Sequence, residues 1–146
     1  MQLRDHSLAA KTLARDVARS AIWIAGFAVA GLIIAPAALL GWGAKDIPAA
    51  LALAVCEAAG LLTLGISAVL RLNAALFQLM ASHGDEISGG MRADEFLARA
   101  GLQAEPAVIR RLSDRAGVVR RLQTIQRLAL AVFVLAALLG AGALAW

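Results

Sequence analysis

Residues 53–62, LAVCEAAGLL, place one carboxyl group in an otherwise apolar stretch. It belongs to Glu57, the only charged residue between positions 48 and 70. An ionised carboxylate in an apolar environment is costly unless a cation or water compensates it. Three states avoid this cost: a protonated Glu57 bonded to a hydroxyl or carbonyl, an ionised Glu57 in a water-filled cavity, and a carboxyl paired with another protein chain. Acids in such positions often serve subunit contacts or ion pathways, so Glu57 is the first candidate for a functional residue.

Small and polar residues recur near Glu57 at helical spacing. On a helix that turns about 100° per residue, they share one face that Glu57 borders: Cys56, Gly60, Thr63 and Ser67. Bulky apolar residues lie roughly opposite: Leu51, Val55, Leu62, Ile66 and Val69. Because small residues and hydroxyls allow membrane helices to approach closely, we predict that the first face packs against helices and the second faces lipid.

No other part of the sequence has the spacing of a catalytic or ligand-binding motif. Cys56 is the only cysteine, which excludes a disulfide and a cysteine-rich metal site. We interpret it as a small buried side chain. The sequence has no phosphate-binding glycine loop and no nucleophile–base pair, so it predicts no cofactor, no metal and no enzymatic activity.

The composition indicates a membrane protein. Of the 146 residues, 61% are hydrophobic and 16% are charged, and the mean hydropathy is +0.77, which is too apolar for an ordinary soluble domain. Three stretches can cross a hydrocarbon core of about 30 Å as helices: residues 21–42, 48–70 and 128–146. We therefore predict an all-α integral membrane protein with three transmembrane helices and a short outer loop at 43–47.

The basic residues predict the orientation of these spans. Thirteen lysines and arginines lie before the first span or between the second and third, and only Lys45 lies between the first two. Because basic residues concentrate in cytoplasmic segments, the N-terminus and the 71–127 loop are expected inside and the C-terminus outside. Trp23 falls at the expected inner interface, and Trp42 and Trp146 fall at the outer one. The expected location is the bacterial inner membrane.

Residues 1–20 are expected to form an amphipathic helix on the inner leaflet. Its apolar residues fall near one face: Leu3, Ala10, Leu13 and Val17. Its basic residues follow one another at i, i+4 spacing: Lys11, Arg15 and Arg19. Anionic headgroups attract such a row by about 1 kcal/mol per basic residue, so we expect contact with lipid. Binding to a partner protein is the alternative.

The 71–127 loop is predicted to be helical. The SGG at residues 88–90 indicates a hinge, followed by a short helix at 94–100 that Gly101 ends. Glu105 and Pro106 mark the start of a long helix that continues into the third span. Its apolar stripe is expected to pack on the N-terminal helix or on a partner: Ile109, Leu112, Ala116 and Val119.

Arginines cover much of the remaining surface of this long helix and its junction with the third span. We expect them to contact anionic lipid or a partner protein: Arg110, Arg111, Arg115, Arg120, Arg121 and Arg127. Aromatic residues do not alternate with these arginines as they would on a surface for single-stranded nucleic acid, so no nucleic-acid partner is predicted.

The first and third spans also carry small residues on one face. In the first span they are Gly26, Ala30 and Ala37, and in the third they are Ala129, Ala136, Gly140 and Ala143. We predict that both faces pack against other helices. Pro36 removes one backbone hydrogen bond, to Leu32, which favours a kink in the first span.

These features favour an interaction protein. Packing faces on every span and a charged helical loop are typical of an accessory or assembly subunit of a membrane complex, or of a homo-oligomer. Its expected partners are other membrane subunits or copies of itself, together with anionic lipids. A pore or a holin-like permeation protein is the first alternative, in which Glu57, Thr63 and Ser67 would line the path in an oligomer.

A membrane enzyme is the last alternative. The order of an amphipathic N-terminal helix, three spans and an inner loop before the third span resembles the layout of the prokaryotic diacylglycerol kinase family. The resemblance implies a lipid kinase that uses ATP and Mg²⁺. The family's acidic and asparagine-containing motif around the second span is not matched by CEAAGLLTLGISAVLRLNAAL, in which sixteen positions separate Glu57 from Asn73. No catalytic residue is therefore assigned.

Overall fold

The computed structural model describes residues 2–42, 47–83, 85–101 and 112–144. These residues form four α-helices: α1 (Gln2–Trp42), α2 (Ile47–Ala81), α3 (Glu86–Arg99) and α4 (Leu112–Leu144). No strand occurs in the ranges given. Segments of α1, α2 and α4 are long and apolar enough to cross a membrane: Ser7–Ile34, Ala50–Ala81 and Leu112–Gly140. The prediction of an all-helical chain with three helices of membrane-spanning length is confirmed.

The chain divides into two compact units, and the division follows its charge. Unit 1 comprises Met1–Ser20 and Val69–Arg121, and unit 2 comprises Ala21–Ala68 and Leu122–Trp146. Only four charged residues belong to unit 2: Lys45, Asp46, Glu57 and Arg127. Unit 2 therefore has the composition of a membrane domain, whereas unit 1 has that of a domain in contact with water.

In unit 1, α3 packs closely on the end of α2. A Cβ atom at Gly89 would lie 2.8 Å from the carbonyl oxygen of Met80 and 3.0 Å from its Cα. Only glycine permits this approach between two backbones. Gly89 and Gly90 are buried and lie inside α3, which begins at Glu86. The predicted hinge at 88–90 is therefore wrong, because these glycines serve helix packing and not chain flexibility.

Both ends of α3 have well-defined caps. Asp85 is the N-cap, and its carboxylate accepts a hydrogen bond of 3.0 Å from the backbone N–H of Ser88. This hydrogen bond lowers the pKa of the Asp85 carboxyl below its usual value. At the other end, Gly101 has a φ of 67°, which favours glycine. The predicted end of the helix is confirmed, while its start moves from Asp94 to Glu86.

Within unit 1, α3 and α4 are joined by a buried ion pair. Arg115 donates to Asp94 Oδ1, and the two side chains are only 6% and 5% exposed. In addition, the backbone N–H of Leu112 donates to Glu86 Oε1 at 2.8 Å, which satisfies a donor in the first turn of α4. The prediction that Arg115 contacts lipid or a partner is therefore wrong, because Asp94 holds its guanidinium inside the unit.

The structure describes the long helix that leads into the third predicted span from Leu112 onward, as α4. The predicted helix start at Glu105 and Pro106 lies outside the described residues, as do Ile109, Arg110 and Arg111. In the rest of the predicted apolar stripe, Ala116 and Val119 are buried and Leu112 is half-buried. This part of the stripe thus contributes to the core of unit 1.

Helix α1 is one uninterrupted helix that includes Pro36. Its buried residues follow heptad spacing: Ala10, Ala14, Val17, Ala21 and Ala28. Gly26, Ala30 and Ala37 fall outside this pattern and are exposed, so they are not the buried face of α1 within the described part of the chain. Packing of these residues against a helix of another chain stays a prediction. Since alanine and glycine occur on every side of this span, residue size alone did not identify the buried side.

The core of unit 2 forms around one aromatic ring. Phe133 packs with Cys56, Ala59 and Ala136. A Cβ atom at Gly31 would overlap the Phe133 ring, so a glycine of α1 makes room for a side chain of α4. On the predicted α4 face, Ala129 and Ala136 are buried, and a Cβ at Gly140 would lie 3.7 Å from Ala52 Cβ. The side chain of Ala143 lies outside the described residues.

Candidate functional site

The hydroxyl groups of α2 form a buried row in unit 2. Thr63 Oγ1 donates to the carbonyl of Ala59, and Ser67 Oγ donates to the carbonyl of Thr63, each at 2.7 Å. Thr63 and Ser67 are 0% and 2% exposed, and Cys56 and Gly60 are buried with them. The face on which these four predicted residues lie is thus the buried face of α2. In a membrane, such bonds keep hydroxyl groups satisfied without water.

Gln126 completes this row and was missed by the sequence analysis. Its Nε2 donates to Ser67 Oγ at 2.7 Å, and the side chain is fully buried. Its Oε1 is buried and has no hydrogen-bond partner among the described residues. The sequence contains a signal for Gln126, because this residue begins a series with helical spacing. Successive steps of 3, 4, 3 and 4 residues lead from it to four small or aromatic residues of α4: Ala129, Phe133, Ala136 and Gly140.

Glu57 is half-buried, and one of its carboxyl oxygens has no partner. Glu57 Oε1 is inaccessible to water and accepts no hydrogen bond from the described part of the chain. On α4, the basic residue Arg127 follows Gln126, whose side chain contacts Ser67. That contact lies ten residues along α2 from Glu57, or about 15 Å. The structure thus keeps Glu57 apart from the hydroxyl row and its glutamine.

The exposed surface of α2 divides into two stripes. One carries the bulky residues predicted to face lipid: Leu51, Val55, Leu62 and Val69. Ile66, predicted to lie with them, is instead 8% exposed and belongs to the core. The other, which we call the small-residue stripe, has heptad spacing and consists of small residues except for the exposed Leu61: Ala54, Ala58, Leu61, Gly65 and Ala68. Nothing in the chain lies within 4 Å of a Cβ built at Gly65.

Glu57 borders the small-residue stripe. On a helix that turns about 100° per residue, Glu57 lies roughly 60° around the helix axis from the centre of that stripe. Its angle from the centre of the buried face is roughly 120°. The sequence analysis placed it at the border of the buried face formed by Cys56, Gly60, Thr63 and Ser67. In the structure, Glu57 thus stands between the core of unit 2 and the exposed stripe, where a neighbouring chain can reach it.

The predicted basic residues occupy several environments. Most described members of the set are exposed: Lys11, Arg15, Arg19, Arg120, Arg121 and Arg127. Arg115 is buried against Asp94, as described above. Two further arginines of unit 1, Arg92 and Arg99, both pair with Glu95 on the surface of α3. The arginines therefore differ in whether the chain itself supplies their counter-ion.

No protein-family model, curated protein or solved structure matches this chain. Function must therefore be inferred from its own residues and their packing.

Proposed function

We propose that this protein is a membrane interaction protein: an accessory or assembly subunit of a larger membrane complex, or a homo-oligomer. The observation that carries the proposal is the uncovered small-residue stripe of α2. Between helices in lipid, close van der Waals contact between small residues drives association, because lipid chains are as apolar as the side chains themselves. A helix of another chain fits this stripe better than disordered acyl chains do.

The exposed face of α4 supports this proposal by contrast. It consists largely of bulky aliphatic residues: Leu128, Val132, Val134, Leu135, Leu138 and Leu139. Such residues present an even surface to lipid, as does the bulky stripe of α2. The small-residue stripe differs because four of its five residues are alanine or glycine, with Leu61 between Ala58 and Gly65. This difference favours α2 as the helix that contacts another chain.

Glu57 gives the interaction its specificity under this proposal. A protonated carboxyl can donate one hydrogen bond and accept others. Rotation of the Glu57 side chain toward the small-residue stripe would expose the oxygen that is buried and unpaired in the structure, and a polar group of a partner helix would then satisfy it. Glutamine retains this capacity without a charge, whereas leucine does not. Glu57→Gln is therefore expected to preserve the complex and Glu57→Leu to weaken it. If both variants dissociate equally, the contact depends on the ionised carboxylate.

The proposed orientation places unit 1 in the cytoplasm of a bacterial cell. The distribution of thirteen basic residues against one supports it. A membrane-impermeant maleimide tests it with single cysteines in a Cys56→Ser background. Ser82→Cys should react only after the inner membrane is opened, and Lys45→Cys should react in spheroplasts without that step. The reverse labelling pattern would invert the orientation.

Cross-linking in native membranes tests the association itself. In the Cys56→Ser background, single cysteines at Ala54 and Ala58 probe the small-residue stripe, while Val55 and Leu62 serve as matched controls on the bulky stripe. A bifunctional reagent should link the chain to a copy of itself or to one partner only from Ala54 and Ala58. Equal cross-linking from the controls would show that contact is random.

A permeation path is the second candidate, and its support is the unpaired oxygen of Glu57. Thr63 and Ser67, predicted to line such a path, are buried and bonded within the chain. A path between chains would therefore have Glu57 as its only acidic lining residue from the described part of α2. Single-channel recording from purified protein and from Glu57→Gln distinguishes this candidate, because the interaction proposal predicts no conductance.

A further inference from the structure

The arginines of unit 1 fall into two groups with different partners. Arg92, Arg99 and Arg115 each form an ion pair with a carboxylate of α3. A second group is exposed and forms no such pair within the part of the chain that the structure describes; it contains Arg15 and three arginines close to the chain boundaries of unit 1, Arg19, Arg71 and Arg121. A guanidinium group stays charged at any physiological pH and carries five donors, so an external anion can serve as its counter-ion.

These three arginines share a position in the chain. Unit 1 ends at Ser20 in α1, begins again at Val69 in α2 and ends at Arg121 in α4. Arg19 lies one residue before Ser20, Arg71 lies two residues after Val69, and Arg121 is the last residue of unit 1. Arg19 and Arg71 thus lie where α1 and α2 change from charged to apolar sequence, and Arg121 lies six residues before Arg127, the last charged residue of α4. We call Arg19, Arg71 and Arg121 the arginine belt.

We propose that the arginine belt binds the phosphate groups of anionic phospholipids at the membrane surface. The end of an apolar span is the level at which lipid phosphates lie, and the planar guanidinium group binds a phosphate through two parallel hydrogen bonds. An anionic headgroup supplies the net negative charge that a zwitterionic headgroup lacks. The belt adds a lipid-binding surface to the proposed chain association and does not depend on it.

Paired arginines on α3 provide a matched control for the belt. Arg71→Gln/Arg121→Gln removes two belt charges, and Arg92→Gln/Arg99→Gln removes two charges that share Glu95 as their counter-ion. The full-length protein in neutral detergent is titrated with phosphatidylglycerol or phosphatidylcholine, and native mass spectrometry measures the lipid-bound fraction. Unfolding of each variant in the same detergent without lipid confirms that the fold is retained.

We expect the wild type to prefer phosphatidylglycerol. The belt variant should bind it about 25-fold more weakly, which is about five-fold per arginine, and the α3 variant should bind as the wild type does. On the wild type alone, raising NaCl from about 0.05 M to about 0.5 M should remove the preference by screening. Equal binding of the two lipids, an equal loss in both variants, or a preference insensitive to salt would overturn the proposal.

Discussion

At the scale of single residues, the hydrogen bond between Gln126 and Ser67 is the main polar link between α2 and α4 in unit 2. Ser67 Oγ donates to the carbonyl of Thr63 and accepts from Gln126, so its single donor and one of its two lone pairs are used. Interhelical hydrogen bonds in membranes contribute only about 0.6 kcal/mol on average, because the unfolded helices find other partners in lipid. Leaving one partner buried and unpaired costs more than removing both.

A double-mutant cycle on this pair should show that asymmetry. Ser67→Ala should destabilise the protein by about 1–2 kcal/mol, since it leaves the Gln126 amide without its acceptor. Ser67→Ala/Gln126→Leu should recover part of that loss. The free energy of unfolding in a mild detergent measures each corner of the cycle. If the two single losses simply add, no hydrogen bond couples these residues.

Asp85 makes the start of α3 sensitive to pH. Its carboxylate accepts the Ser88 N–H, and the pKa in the folded state lies below the unfolded value. The stabilisation is therefore fully present above the unfolded pKa and is lost as pH falls through the folded pKa. The protection of the Ser88 amide against hydrogen exchange, relative to the intrinsic exchange rate at each pH, should fall over that acidic range. In Asp85→Asn, which still caps the helix but does not titrate, this loss of protection should disappear.

At the scale of helices, two glycines in unit 1 have opposite roles. Gly89→Ala should destabilise the protein by about 1–3 kcal/mol, because its Cβ would press on the backbone of Met80. Gly117 lies inside α4 with open space around its Cβ position, so Gly117→Ala should stabilise by up to about 1 kcal/mol. Thermal unfolding of the two variants measures both effects, and a shift in the same direction would contradict the packing of α3 on α2.

The Asp94–Arg115 ion pair should dominate the attachment of α3 to α4. Asp94→Asn leaves a buried guanidinium without its counter-ion, so we expect a loss of about 3–5 kcal/mol. Glu95→Gln, one residue away, breaks only exposed pairs with Arg92 and Arg99 and should cost less than about 1 kcal/mol. Denaturant unfolding of the two variants gives the comparison. Similar losses would mean that Asp94 is solvated in solution.

The sequence predicted some helix faces correctly and others wrongly, for identifiable reasons. Hydroxyl groups mark one side of α2, so the buried face with Thr63 and Ser67 was recognisable. In α1, small residues occur all round the helix, and only the heptad phase that starts at Ala10 and Ala14 distinguishes the buried side. Gln126 was overlooked because the span was begun at residue 128, after Arg127, although its spacing continues the buried face of α4.

The roles of glycines and charged residues depended most on tertiary contacts. Gly89 has the local character of a hinge, and only the nearby backbone of Met80 makes it a packing residue. Likewise, Arg115 could not be distinguished from the other arginines of its helix without knowledge that Asp94 lies opposite. Both depend on contacts between segments distant in sequence, which local patterns do not contain.

At the scale of the whole molecule, the two units carry the residues of two different proposed functions, lipid binding in unit 1 and association with another chain in unit 2. In unit 1, the Asp94–Arg115 ion pair joins α3 to α4, and we propose that the arginine belt contacts the membrane surface. Unit 2 contains an internal core around Phe133 and an external stripe of small residues on α2. Membrane insertion requires neither the stripe nor Glu57, so we attribute both to contact with another chain.

The mass of the protein complex in mild detergent is the most direct test of that contact. Gly65→Val fills the small-residue stripe, and Gly26→Val places the same bulk on the exposed face of α1; neither Cβ meets an atom of the chain within 4 Å. Light scattering of affinity-purified protein should give a mass above that of the monomer for the wild type and Gly26→Val, and the monomer mass for Gly65→Val. A monomeric wild type, or an unchanged complex in Gly65→Val, would contradict the proposed association through α2.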